Sequence, residues 1–331
     1  MILHVLFDRV KGNYHIRLLL ALATLLMMSG CASKEPLIST ERYNSSSIKV
    51  PFVAPRSDLC GATSIEMVSS YWQSITTYTP RLSKEELDAR TLIPAKSGTL
   101  QVELMATARA NGLLAYTLAP TLDALLHELE QQHPVIVLVN RSYSWYPLWH
   151  YAPVTGYNKK DQTILMHFSN RPNEAINIAT FKRLWERSGN WGVVLLPPEH
   201  LPASASSEAF LRSAYNLEKT GMREQAIIAY KSALQRWPKD IDILFALANA
   251  YYSSNKLTAA EQYYRKLLSI EPLHPLALNN LSDLLCHTGR QNEAMATIKK
   301  ADSDNIEIQS IINATQKKIL NGCTLQASPK K

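Results

Sequence analysis

The chain has 331 residues, 46% hydrophobic and 19% charged, with 11 Gly and 17 Pro. Those values exclude collagen-like, low-complexity and wholly disordered chains, and a mean hydropathy of −0.15 excludes a polytopic membrane protein. At about 150 residues per domain the length points to two domains, each large enough for its own core. The formal charge of +7 comes from 35 basic and 28 acidic side chains. Residues 1–30 carry part of it, through Arg9, Lys11 and Arg17 against Asp8. The remainder has no run of Lys and Arg interleaved with aromatics, so nucleic-acid binding is not expected. Glycine-rich phosphate loops are absent, and His133, His167 and His200 have no metal-ligand spacing with cysteine. Neither a cofactor nor a metal is expected, and the three histidines read as turn or surface residues.

The N-terminus reads as an address. Residues 1–17 are basic and mixed, Leu18–Met28 is apolar, and Ser29, Gly30 and Cys31 follow. The apolar run is about half of what a helix needs to cross a bilayer, so residues 1–30 read as an export signal. Met28-Ser29-Gly30-Cys31 resembles the lipobox of bacterial lipoproteins, in which the thiol takes a diacylglycerol and the Cys becomes the new N-terminus. The alternative is an ordinary signal peptide with an incidental Cys. Ala32, not Asp, follows Cys31, and the resemblance then implies an outer-membrane lipoprotein facing the periplasm. Acyl chains would hold it to a leaflet. Residues 31–47 are polar and serine-rich and read as a tether.

Residues 48–200 mix helices and strands, with the strands concentrated late. An extended start leads to Cys60 and then to an apolar helix whose buried side is Ala62, Ile65, Met67, Val68 and Tyr71. Partial positive charge at that helix N-terminus favours a thiolate, and Gly61 leaves backbone room beside the sulfur. Helical patterns follow at 84–89, 100–111 and 122–130, and Pro134–Asn140 reads as a buried strand. His150 opens the next strand, WHYAPVTGYN; a strand at 163–168, a short helix at 181–187 and a strand at 191–196 close the domain. Tyr143, Trp145, Tyr146 and Trp149 precede His150 in a loop and read as a substrate-side wall, with core packing as the alternative. Asp161 reads as a turn residue.

From about residue 205 the sequence repeats every 34 residues. Ala214, Ala248 and Ser282 share one register; Ala226, Ala260 and Ala294 share another. Tyr230, Tyr264 and Ile298 continue the period, and Pro238 and Pro272 close the first two units. The pattern resembles the tetratricopeptide repeat: three units over 205–303, then a capping helix and tail over 304–331. Cys286 and Cys323 form an even pair that reads as a disulfide in an exported protein. The alternative is two unpaired buried thiols. Helical arrays of this kind offer a surface for a protein partner.

The VPF…CGA…MV start, the H-Y-x-P-V-x-G-Y strand and the late F-x-x-x-W helix together resemble the bacteriocin-processing, double-glycine-leader cysteine peptidase family, in its free-standing lipoprotein form with C-terminal tetratricopeptide repeats. The resemblance implies an α+β papain-like peptidase domain followed by an all-α solenoid, with Cys60 as nucleophile, His150 as general base and a peptide or protein as substrate. Two departures stand out. The family's Gln five or six residues before the Cys is missing, with Ala54 and Pro55 in its place, so the oxyanion would rely on the Cys60 backbone N–H and a substitute such as Arg56. The family's Asp in a D-P turn is replaced by Ser169-Asn170-Arg171-Pro172; Asn170 is the expected orienting residue and Ser169 its rival. The first expectation is an envelope-anchored cysteine peptidase. The second is a degraded peptidase fold serving as a binding or assembly lipoprotein, with Cys60 a buried structural thiol.

Overall fold

A computed structural model describes residues 44–323 except Pro55 and Ser57. The expected export signal, Cys31, most of the tether and the tail beyond Cys323 lie outside the described residues. The first half is an α+β domain around an antiparallel sheet. Its strands are β1 (Ser46–Ser47), β2 (Leu114–Thr117), β3 (Val135–Asn140), β4 (Trp149–Asn158), β5 (Thr163–Met166), β6 (Glu174–Asn177) and β7 (Gly192–Leu196). They run in the order β2-β7-β3-β4-β5-β6, with β1 paired to β4. Every position in β3 and β7 is buried, and both are apolar apart from Asn140 at the end of β3. The register pairs Val135 with Val154 and Asn140 with Trp149, which sets His150 opposite Val139 at the start of β4.

Helix α1 (Cys60–Ile75) packs on β4. Ala62, Ile65, Val68 and Trp72 recur at helical spacing and are all buried. The Trp72 indole N–H donates to the Leu195 carbonyl at 2.7 Å, which fixes the helix on β7. Helix α2 (Lys84–Thr91) starts at a Ser83–Glu86 capping box. Helices α3 (Gln101–Ala110), α4 (Leu122–Glu130) and α5 (Ile178–Glu186) follow. Two short strands, β2 and β6, carry too few residues for the alternation to mark them. The last residues of the expected tether belong to the fold: β1 lies beside Gly156, where a Cβ would sit 2.2 Å from the Ser46 carbonyl oxygen. Only glycine allows that approach.

The second half is three helical hairpins: α6 (Ser207–Lys219) with α7 (Arg223–Arg236), α8 (Ile241–Ser253) with α9 (Leu257–Ile270), and α10 (Pro275–His287) with α11 (Gln291–Ile298). The small residues of the 34-residue register are buried where paired helices meet, as are Tyr230, Tyr264 and Ile298. Helix α12 (Ile306–Leu320) closes the array, burying Ile312 and Ile319. Cys286 and Cys323 are joined by a disulfide.

The linker between the halves is gripped from both sides. Glu128, on α4, is fully buried and accepts hydrogen bonds from His133 Nδ1, the Ala203 and Ser204 backbone N–H groups and the Ser204 hydroxyl. From the other side Arg236 donates to the carbonyls of Pro202 and Ala203. Helix α6 then packs against β2, an edge strand, and covers it. Burial would raise the Glu128 carboxyl, but the hydrogen bonds from His133 and Ser204 outweigh it and hold the group below the usual carboxylate range. The stability this contributes is therefore fully present above the unfolded value and is lost as pH falls through the depressed folded value. Glu128→Ala leaves several donors facing a void, and we expect it to cost about 3–5 kcal/mol in denaturant unfolding at pH 7. The loss should shrink as pH falls below about 4. A variant within about 0.5 kcal/mol of the wild type at pH 7 would show that the latch does not hold the linker.

Candidate active site

Cys60 is the first residue of α1. The N-cap, Leu59, has no side-chain acceptor, and the first turn has no acid, so the backbone N–H groups there are left uncommitted. Those of Cys60 and Gly61 lie beside the sulfur, as does the Tyr151 N–H of β4. All three favour a thiolate. Burial opposes them and wins, with Asp58 adding to it, so the Cys60 thiol is raised above its ordinary value. The activating effect expected from the helix terminus is present but outweighed.

His150 opens β4 and lines the same cleft as Cys60, a hollow of about 700 Å³ whose wall also includes Thr99, Arg141, Trp149 and Tyr151. Burial and the neighbouring Arg141 guanidinium push the imidazole down to about 4, against the Phe168 backbone carbonyl, which favours its protonated form. Arg141 stacks over the Phe168 ring at 5.2 Å, and His150 meets the same ring edge-on at 5.9 Å. At neutral pH the site therefore holds a thiol and a neutral imidazole.

Cys60, His150 and Arg56 line one cleft; Asn170 and Ser169 do not. The Arg56 guanidinium is held by Asp88, Glu66 and Thr63, so it clamps α1 to α2 and is not free to serve as an oxyanion donor. Asn170 is exposed in its turn, and the group that accepts from the His150 ring is the Phe168 carbonyl instead. Ser169 donates to Glu174 at 2.6 Å. The space above Gly61 is not open to substrate: a Cβ there would lie 2.6 Å from Thr99 Oγ1. The three histidines read as turn or surface residues are at least half-covered. His167 donates through Nε2 to the Val50 carbonyl and accepts the Asn173 N–H on Nδ1; His133 bonds Glu128; His200 packs on Trp72. Of the aromatic stretch only Trp149 lines the cleft, while Tyr143, Trp145 and Tyr146 are exposed. Asp161 bonds Asn158 in its turn. Among the described residues no group of three or more His, Cys, Asp or Glu could hold a metal ion.

Arg141, Phe168 and Thr99 were not anticipated. Arg141 is the single charged residue between Asn140 and His150, which was the available signal. Phe168 acts through its carbonyl, which no residue type announces. Thr99 reaches the site from a loop, and its Oγ1 is buried without a partner.

Residues 44–193 match the model of the Peptidase_C39 like family, and 211–273 and 245–305 match the tetratricopeptide repeat. The chain thus carries a Peptidase_C39-like domain followed by tetratricopeptide repeats. Among curated proteins, protein O-mannosyl-transferase tmtc2 of Xenopus laevis is 32% identical over 105 residues, which is 29% of this chain and 13% of that protein. Among solved structures, a tetratricopeptide repeat protein of Parabacteroides merdae is 21% identical over 35% of this chain and 50% of its own, with a TM-score of 0.30. Pseudomonas aeruginosa pilF is 24% identical over 34% and 51%, with a TM-score of 0.32.

The shifted pair predicts a pH profile. Because the thiol is raised, alkylation of Cys60 by iodoacetamide should climb about tenfold per pH unit from pH 6 to beyond 9. Above pH 4 the imidazole is already neutral, so no acidic limb should appear between pH 5 and 8. A plateau across that window would mean a resting thiolate–imidazolium pair and would overturn this electrostatic reading.

Proposed function

We propose that the protein is a cysteine peptidase of the cell envelope that acts through Cys60 and His150. The observation that carries this reading is the placement of both side chains on one cleft, with the uncapped N–H groups of α1 beside the sulfur. With a resting neutral pair, His150 acts as general base: it takes the thiol proton as Sγ attacks the scissile carbonyl carbon. It then gives that proton to the leaving amine, and water hydrolyses the thioester through the same imidazole. The Cys60 backbone N–H is the available donor for the oxyanion, and the Phe168 carbonyl orients the ring in place of a side chain. The groove between α6 and α8, about 420 Å³ and lined by Leu211, Tyr215, Phe245 and Asn249 among others, would hold an extended segment of a protein partner.

The second reading, a non-catalytic binding lipoprotein, is favoured by the engaged Arg56 and by the shift of both reacting groups towards neutrality. A thiol-reactive peptide electrophile separates the two. Labelling should vanish in Cys60→Ala and slow by about 100-fold or more in His150→Ala. Equal, slow labelling with and without His150 would leave the binding reading standing.

The envelope reading rests on Cys31. Cys31→Ser is expected to leave an uncleaved precursor or to move the protein to the soluble fraction. Normal maturation with full membrane retention in that variant would refute lipid anchoring.

A further inference from the structure

Residues 141–148 join β3 to β4 and read Arg-Ser-Tyr-Ser-Trp-Tyr-Pro-Leu. At the tip Tyr143 is 65% exposed, Trp145 81% and Tyr146 68%. The Tyr143 and Trp145 rings stack at 5.6 Å and 13°, and Trp145 meets Tyr146 at 6.1 Å. The cleft wall takes Arg141, Pro147 and Leu148 from this loop, and Trp149 just beyond it, but none of the three tip rings. They face water. The loop is not free to tuck them away. Asn140, itself buried, accepts the N–H groups of Ser142 and Leu148 at 2.9 Å each and donates to the Tyr143 carbonyl at 3.2 Å. Tyr146 N–H donates to the Tyr143 carbonyl, and Arg187 donates to the Ser142 carbonyl from below. The fold thus holds three large rings in solvent through a preformed scaffold.

We propose that this tip is a membrane-interface contact, seated among the headgroups of a phospholipid bilayer beside the cleft. Trp and Tyr each join a flat apolar ring to a polar edge, the combination that partitions to headgroup level. Exposed ring faces ask for a yielding apolar medium, whereas a peptide would need pockets between the rings, and the Tyr143 and Trp145 rings close on each other. Charge agrees. The loop has no carboxylate, and Arg141 at its base with Lys96 on the cleft rim outnumber Asp58, which suits anionic headgroups.

Reach agrees too, and this one point rests on the lipid-anchored reading. The chain enters the fold at Asn44, bonded to Glu130, and β1 pairs with Gly156 and Tyr157. That register puts Asn44 level with residue 159, ten residues along β4 from Trp149, about 33 Å. The segment from Cys31 to Asn44 can extend about 45 Å, so an anchor at Cys31 lets the tip touch the same leaflet. Seated this way, the Pro147–Trp149 wall continues from the bilayer into the cleft, and substrates would be chains lying on or emerging at the membrane surface.

The test uses the full chain in vesicles of mixed zwitterionic and anionic phospholipid, with acyl chains either unlabelled or brominated next to the headgroup. No tryptophan precedes Trp72, so an anchoring segment contributes nothing to the signal. Brominated lipid should quench part of the wild-type tryptophan emission. Trp145→Ala should lose most of that quenching, and so should Tyr146→Asp, which keeps Trp145 but places a charge at the interface. Both positions are exposed, so the fold should tolerate both changes. Equal quenching in all three proteins would overturn the proposal. If quenching stays equal while both variants slow peptide-electrophile labelling in detergent without a bilayer, the loop is a peptide wall and the proposal is likewise overturned. Because the vesicles supply the bilayer directly, failure here is separate from failure of Cys31→Ser to release the protein.

Discussion

The pairing of β3 with β4 is the constraint on which the rest of the site depends. Its register sets Asn140 against Trp149 and Val139 against His150. A slip of one residue would turn every β4 side chain to the opposite face and carry His150 away from Cys60. The same register fixes where β3 ends, so that Asn140 is buried yet close enough to bond three backbone groups of the loop beyond it. At the far end β4 outruns β3, and β1 pairs there because Gly156 has no side chain. One strand therefore positions His150, the aromatic tip and the entry of the chain.

The electrostatics of the site come from two opposed features of the same packing. An uncapped helix N-terminus offers N–H groups to the sulfur, and helix dipoles of this kind are worth about 0.3–2 kcal/mol. Burial removes water from the thiol and the imidazole, and it is the larger influence on both. Thr99 adds to the enclosure by filling the space over Gly61. Arg141 disfavours an imidazolium, and stacked on Phe168 it remains beside the ring. A site so arranged holds Cys60 as the thiol at neutral pH, and the thiol is less reactive towards oxidants than a thiolate.

What could be read in the sequence and what could not divide along a physical line. Local pattern was legible: the 34-residue period placed all three helical hairpins, because the same small residue recurs wherever two helices touch. The continuous apolar run of β3 and the periodicity of α1 were legible for the same reason. Cys60 and His150 stood out because their residue types and flanking motifs are unusual. The partners of these residues were not legible. Arg56 bonds Asp88, which is 32 residues away, and nothing local signals that commitment. The group that favours a protonated His150 is the Phe168 backbone carbonyl. His167 is buried because a turn folds Asn173 onto one nitrogen while Val50 meets the other, a combination that only the closed sheet creates.

The repeats are held at both ends, and by different means. At the near end Glu128 and Arg236 grip residues 202–204, while α6 covers the exposed edge of β2. At the far end the Cys286–Cys323 bond closes a loop with a sequence separation of 37. Lys318 also bonds Asp283, and Gln291 donates to the Ile319 carbonyl. Closing a loop of that length removes about 3–4 kcal/mol of unfolded-state freedom, and it persists only where thiols are not kept reduced. A solenoid unfolds most readily from its termini, since each unit touches only its neighbours. With one end docked on the sheet and the other covalently closed, neither terminus is free to fray. The groove between α6 and α8 therefore belongs to an array that is tied down at both of its described ends.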